Sequence, residues 1–328
     1  MVMGTRRGAW WWSTKHCSRR RTSSLAAAAE EGQQQQSEHR SWAYDEALKV
    51  IAQDREEKQK LVKVAETRLQ RALTLARTDH TRAHERRIKD IRNDVEEARV
   101  AVEINDPQVR RQFQVGDIDM TRPVMRYLAR QRWELGSRLP RLLQRLHQMH
   151  VVPDTIPDIH PVVDVQLRFG EREVEAGKFL PCDLTRKVPS LSIQQFQPWR
   201  HPLYTIAILD PDTPDIDNDS FTTTLHMLTT NATVTLKRPL VVETPVMEYL
   251  PPHPHKGTAP HRLAVLVFSQ KEPIPADALP ARESFDVRQY VAQHQLHPVG
   301  AHLWRSKWDE YVDDILQELN VPRLQFKR

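Results

Sequence analysis

Two hydrophobic periods divide this chain. From Trp42 to Ile104 there is no proline or glycine, and the sequence is built largely from Ala, Glu, Lys, Arg, Leu and Gln, residues that form helices readily. Leu61, Val64, Ala65, Leu69, Ala72 and Leu73 recur three and four apart, the spacing of one helical face. The pattern predicts one long helix, or two with a break near Thr78 to Thr81. So thin a stripe cannot make its own core; the helix must pack on a partner or form a coiled coil. Asp106-Pro107 reads as the N-cap and first residue of a new helix, and Thr121 with Pro123 behind it opens another in the same way. Between Ser137 and Met149, Leu139, Leu142, Leu143 and Leu146 share a face, with Arg138, Arg141 and Arg145 about a third of a turn away.

Beyond Val152-Pro153 proline becomes frequent and the apolar period falls towards two. Val163, Val165, Leu167 and Phe169 alternate with polar residues, as in a half-buried strand. Further strands are expected over Phe179 to Leu184, Leu191 to Phe196, Tyr204 to Leu209, Thr223 to Thr230 and Arg262 to Ser269. A closing helix is expected over Lys307 to Leu319, where Trp308, Tyr311, Val312, Ile315, Leu316 and Leu319 make a stripe. The expected class is α+β: a C-terminal β-rich domain with a closing helix, preceded by a long helical extension.

Charge sharpens this division. Residues 1–150 carry 30 basic and 20 acidic side chains, whereas residues 151–328 carry 18 and 23. Only the first part is suited to a polyanion, although a solvated helical surface gives the same count. Arg126, Arg130 and Arg132 precede the Arg138, Arg141 and Arg145 face, and arginine is the better residue for bidentate phosphate contacts. Arg126, Arg130, Arg138, Arg141 and Arg145 are the candidate RNA phosphate contacts, the plain alternative being the wet face of a helical bundle. No zinc spacing accompanies them, so sequence-specific readout is not indicated. Cys17 and Cys182 are the only cysteines, too few for a disulfide framework. No apolar run approaches the length of a membrane span.

The N-terminus has its own texture. Residues 1–29 hold Arg6, Arg7, Lys15, Arg19, Arg20 and Arg21 with no acid before Glu30. Arginine-rich, serine-containing and acid-free sequence is the pattern of a mitochondrial transit peptide, a disordered basic tail being the alternative. Residues 30–41, with Gln33 to Gln36, read as a polar linker. The expected division is therefore leader 1–29, linker 30–41, helical basic extension 42–150 and β-rich domain 151–328.

Candidate chemistry gathers in the β-rich part. A hydrophobic strand ends in Asp210-Pro211-Asp212-Thr213-Pro214, a second carries His226 ahead of Asn231, and a third is entered through Gly257-Thr258-Ala259-Pro260-His261-Arg262. Together with the closing Trp308-Asp309-Glu310-Tyr311-Val312, these motifs resemble the phosphatidylethanolamine-binding protein family in order and spacing, from about Pro161 to Leu319. The resemblance implies a β-sandwich with a small anion pocket formed by Asp210, Asp212, His226 and His261. It also implies a mostly non-enzymatic role. No nucleophile elbow or glycine-rich phosphate loop argues otherwise.

Departures from the family pattern point to a vestigial pocket. Thr224 stands where the family has a tryptophan, Leu263 and Phe221 where it has aromatic hydroxyls, and His253 where it has a glycine at the mouth. Lost donors weaken anion binding, and His253 is expected to plug the opening. His253, His255 and His261 could be read as metal ligands, but no cysteine supports this; neither a metal nor a cofactor is expected. Leader, basic extension and altered domain together resemble the branch of the family found in the mitochondrial large ribosomal subunit. That implies a structural role in the matrix, with mitochondrial ribosomal RNA and other large-subunit proteins as partners. The rival reading is a soluble mitochondrial lipid- or anion-binding regulatory module.

Overall fold

The computed structural model of the chain describes residues 22–77, 81–198, 203–236, 240–241, 245–275 and 279–323. Most of the expected leader, residues 1–21, lies outside the described residues. The chain forms two compact units, residues 1–106 and 107–328.

The first unit is a helical hairpin of α1 (Thr22–Ala76) and α2 (Arg82–Glu103). The break falls where the sequence places it, because Thr81 caps α2 by accepting from the His84 backbone N–H. Residues 30–41 continue α1 instead of forming a linker. Alanine, glutamine and glutamate propagate a helix, and only Gly32 opposes them. Ala72, Ile91 and Val95 are buried, and ion pairs Arg68–Asp94 and Arg99–Glu66 set an antiparallel register.

The second unit opens with α3 (Pro107–Val115), α4 (Pro123–Leu135), α5 (Arg138–Gln148) and the single turn α6 (Val151–Asp154). Arg122, not Thr121, is the N-cap of α4; the Thr121 hydroxyl instead donates to Asp119 Oδ1 at 2.7 Å. Next come β1 (Val163–Phe169), β2 (Arg172–Glu173), α7 (Cys182–Thr185), β3 (Ser190–Gln195), β4 (Leu203–Asp215), β5 (Ser220–Thr233) and β6 (Leu240–Val241). The unit closes with β7 (His261–Gln270), α8 (Val287–Gln293), β8 (His297–Ser306) and α9 (Val312–Glu318).

Two antiparallel sheets form, with strand orders β2-β1-β3-β6 and β5-β4-β7-β8. Val163, Val165 and Leu167 of the first pack with Tyr204, Ile206, Ile208, Val265 and Trp304 of the second in one buried cluster. A second cluster joins Leu209, Leu266 and Leu303 to Leu142, Leu146, Val151 and Ile156. Helices α5 and α6 thus cover the outer face of the second sheet, inside the same compact unit as the strands. This is the α+β class expected, with helices α3 to α6 built into the body that contains the sandwich.

Two expectations fail locally. Phe179 to Leu184 is not a strand: Phe179 makes one isolated bridge to Arg305, and α7 follows. Strand β8 is not evident from the sequence pattern, because Pro298 and Gly300 interrupt its alternation. Both fit its place. β8 is an edge strand, where proline is tolerated, and Gly300 lies where β8 backs closely onto β1.

A Cβ on Gly300 would come within 2.6 Å of Val163 Cγ2 and 2.8 Å of Val165 Cγ2. Both valines are buried and cannot retreat. Gly300→Ala is expected to cost about 1–3 kcal/mol by overpacking, measured as a lowered urea midpoint of tryptophan fluorescence with an unchanged slope. A midpoint equal to that of the parent chain contradicts this close approach.

Candidate functional site

Two features could carry function in the second unit: the acid–imidazole cluster at the strand ends and the arginine face of α4 and α5. The cluster is aimed by irregularity in the β4–β5 ladder. The register shifts between Ile208 and Leu209 and again between Asp210 and Thr213, and such bulges re-aim side chains. Asp210 lands buried, accepting from the Asp212 backbone N–H at 3.0 Å and from His261 Nδ1–H at 2.7 Å. The other His261 nitrogen, Nε2, meets Thr258 Oγ1 at 3.2 Å. His226 donates from Nδ1 to the Leu250 carbonyl at 2.6 Å, leaving Nε2 at 3.9 Å from Asp210.

Asp212 faces another partner. Its two oxygens receive Arg262 Nε at 2.9 Å, Arg262 Nη2 at 2.7 Å and the Arg262 backbone N–H at 2.8 Å. Arg262 Nη1 then reaches Asp154 at 2.7 Å and the Met149 carbonyl at 2.8 Å. The structure therefore brings Asp210, His226 and His261 together and assigns Asp212 to an arginine that ties β7 to the α5–α6 corner. The sequence contains the signal for Arg262 in the residue after His261, but its role as a clamp depends on a helix packed from far away in the chain.

Burial sets the charges. Desolvation would raise the Asp210 carboxyl, but the hydrogen bond and positive field of His261, with a smaller contribution from His226, hold it below the ordinary carboxylate range. Burial pushes His226 down to about 4 against the pull of Asp210. His302 is also pushed down to about 4 by burial. His226 is therefore a neutral donor to Leu250, not a cation awaiting an anion.

Residues 170–304 match the family model described as phosphatidylethanolamine-binding protein. The β-domain is similar to that family over these residues. A curated relative, "Large ribosomal subunit protein mL38" of Schizosaccharomyces pombe, is 38% identical over 207 residues, covering 60% of this chain and 66% of that protein. The chain thus spans just under two thirds of it. "Putative odorant-binding protein A5" of Drosophila melanogaster is 25% identical over 190 residues, covering 53% and 84% of the two chains. The solved phosphatidylethanolamine-binding protein of Plasmodium vivax aligns over 51% of this chain and 97% of its own, with 19% identity and a TM-score of 0.42.

Within the matched residues the departures from the family pattern have distinct locations. Leu263 is wholly buried in the cluster between the sheets. Phe221, expected at the rim, is 67% exposed. Thr224 is buried. His253 sits with its ring centroid 6.1 Å from that of His226, fixed by Nδ1 on the Pro251 carbonyl at 2.8 Å. The ring of His255 stands 6.4 Å from that of His253, and no group of three His, Cys, Asp or Glu among the described residues is placed to hold a metal.

The arginine face divides. Arg126 is 4% exposed and donates to the Met120 and Thr121 carbonyls at 2.9 and 2.7 Å. It is a structural tie at the start of α4, and burial takes it out of the set of phosphate contacts. Arg130 pairs with Glu134 at 2.7 Å, and Arg138 bridges to Asp164 at 3.2 Å and to Glu173. Arg132 stacks on Phe113 at 3.9 Å. Arg145 reaches only Gln148, at 3.3 Å. Arg141 makes no ion pair among the described residues. One turn apart on α5 and exposed, Arg141 and Arg145 are the free cations of the predicted five.

Because His226 and His302 stay neutral when folded but titrate near 6.5 when unfolded, the sign of their pH dependence is fixed. Their stabilisation is complete above pH 6.5 and is lost as pH falls from 6.5 towards 4. The loss reaches about 3 kcal/mol per histidine. Urea titrations across this range should show His226→Asn, which keeps a donor for Leu250, with a shallower slope. A slope matching the parent chain would mean that His226 is protonated in the folded protein.

Proposed function

We propose that this chain is a structural, non-catalytic constituent of the mitochondrial large ribosomal subunit, placed in the matrix and working without a cofactor. The observation that carries the reading is the 38% identity to the fission-yeast large-subunit protein over 60% of this chain. In this reading the helical hairpin and the exposed arginines of α5 make the contacts, α5 being built into the folded body that holds the strands, and the partners are ribosomal RNA and neighbouring subunit proteins. No described helix is long and apolar enough to cross a membrane. Arg141 and Arg145 supply the RNA contact, since they are exposed and owe no charge to a carboxylate. Exposed guanidiniums release condensed counterions when they meet phosphate, so their contribution falls with salt.

The pocket supports the same reading from the other side. Asp210 is matched by His261, Asp212 by Arg262, and His226 is fixed on a carbonyl. An incoming anion would have to break these bonds and replace their partners in a desolvated site, where each unmet group costs about 1–3 kcal/mol. We therefore read Asp210, Asp212, His226 and His261 as a vestigial pocket turned into a structural lock.

Sedimentation of tagged full chain from mitochondrial lysate tests the assembly. It should travel with the large subunit, and Arg141→Glu with Arg145→Glu should be stripped at lower salt, with a log–log salt slope smaller by about 0.9 per lost contact. A parent chain that runs as a small free species while large subunits assemble normally overturns the ribosomal reading. Calorimetry of the full chain with phosphate and phosphoethanolamine tests the lock, and no saturable heat is expected. Saturable binding removed by His226→Asn would instead establish an anion-binding module.

A further inference from the structure

Helix α1 carries two heptad seams, and α2 covers only one. Lys58, Val62, Ala65, Leu69, Ala72 and Ala76 follow alternating four- and three-residue steps, and all are at least partly buried. A second series, Leu61, Val64, Arg68, Arg71 and Leu75, follows steps of three and four on an adjoining face. Such a repeat is the signature of a helix that packs on another helix. In this unit its apolar members are left out: Leu61, Val64 and Leu75 are 63%, 67% and 58% exposed.

The exposed seam borders a groove of about 690 Å³ between α1 and α2. Val64, Leu75 and Ile88 supply apolar surface and Lys63, Arg71 and Arg87 supply charge. Among the described residues these three cations make no ion pair. Arg68, also in the lining, is held by Asp94 at 3.3 Å. No described acidic side chain lines the groove.

We propose that this groove receives an acidic amphipathic helix from a neighbouring protein, which completes a three-helix bundle with α1 and α2. From Val64 to Leu75 the track rises by about 16 Å, three helical turns, enough to seat apolar side chains at successive turns. The occupant's apolar stripe covers Val64 and Leu75, and its flanking carboxylates meet Lys63, Arg71 and Arg87. RNA is the weaker match, since phosphates satisfy the cations but leave the apolar residues in water. The chain's own N-terminal stretch is excluded by charge, because residues 1–29 carry six cations and no acid. The inference names the kind of partner the extension meets and rests on the large-subunit reading only for where that partner resides.

The test uses the full chain and a labelled peptide of about three heptads, leucine at the seam positions and glutamate beside them. Anisotropy should show saturable binding, and a lysine-for-glutamate version of the peptide should not bind. Val64→Ser with Leu75→Ser should weaken binding at least about tenfold, and so should Lys63→Glu with Arg71→Glu and Arg87→Glu. Circular dichroism should show helicity unchanged in both variants, since the altered residues lie on the surface. In assembled particles, a photo-crosslinker at position 75 should give an RNase-resistant adduct to an acidic helical segment. The proposal is overturned if the peptide fails to bind or if the serine variant binds as tightly as the parent. It is equally overturned if the adduct is RNA, or if sedimentation equilibrium shows the seam occupied by a second copy of this chain. Co-sedimentation with the large subunit is scored separately. Groove variants that lose the peptide but still co-sediment leave the ribosomal reading standing, and a peptide-binding chain that never co-sediments removes only that reading.

Discussion

The Arg262 guanidinium is the joint on which the second unit turns. It takes both oxygens of Asp212 at the end of β4 while reaching the Met149 carbonyl and Asp154 at the α5–α6 corner. A planar fork can do this; a lysine cannot, because one ammonium does not satisfy a bidentate carboxylate and two further acceptors at fixed angles. The clamp fixes the strand end, and with it the neighbouring Asp210–His261 pair. It also seats α5 so that Leu142 and Leu146 are buried on the sheet while Arg141 and Arg145 stay in solvent. One interaction thereby joins the end of β4 to the presentation of a charged face.

A partly buried ion pair such as Arg262–Asp212 is not in itself a source of stability, since desolvation offsets much of the Coulombic gain. What it supplies here is a single arrangement. Each member of the former pocket has a partner of opposite demand: carboxylate with imidazole N–H, carboxylate with guanidinium, imidazole N–H with carbonyl. A site built to hold an anion must keep donors unmet until the ligand arrives. This one leaves few, and His253 beside His226 adds bulk where the family has a glycine. The residues that carry the resemblance of the domain are the residues that pair with one another here.

The periodic parts of the chain are legible in the sequence. The strands around Val163, Leu191, Tyr204, Thr223 and Arg262 fall where their alternation or apolar runs place them, because each buries one face or, as in β4 and β7, both. The helix break at Thr81 was legible because capping is a local event. Strand β8 was not, since its Pro298 and Gly300 answer to an edge position and a close sheet approach, both set by tertiary packing. Residues 30–41 were misread for the opposite reason: low complexity suggested a linker, although glutamine and glutamate favour a helix once one is nucleated. Of the site, the pairing of Asp210 with His261 could be expected from the motifs. The capture of Asp212 by Arg262 could not, as it depends on Met149 and Asp154 arriving from more than a hundred residues away in sequence.

Charge counting shows the same limit in a form that bears on function. The basic excess of residues 1–150 suggests a broad RNA face, but several of those arginines already have partners. Arg126 holds carbonyls, Arg130 and Arg138 hold carboxylates, Arg132 lies on Phe113, and in the hairpin Arg68 and Arg99 hold Asp94 and Glu66. A paired guanidinium must give up its partner before it can bind phosphate, so it adds little to affinity for a polyanion. Among the cations that make no ion pair, two groups stand in different surroundings. Arg141 and Arg145 stand in water on a short helix whose apolar side is already buried, which suits a phosphate backbone. Lys63, Arg71 and Arg87 stand beside exposed Val64 and Leu75, which suits a partner able to cover apolar surface as well as neutralise charge. Net charge draws these two sets together; only their apolar neighbours tell them apart.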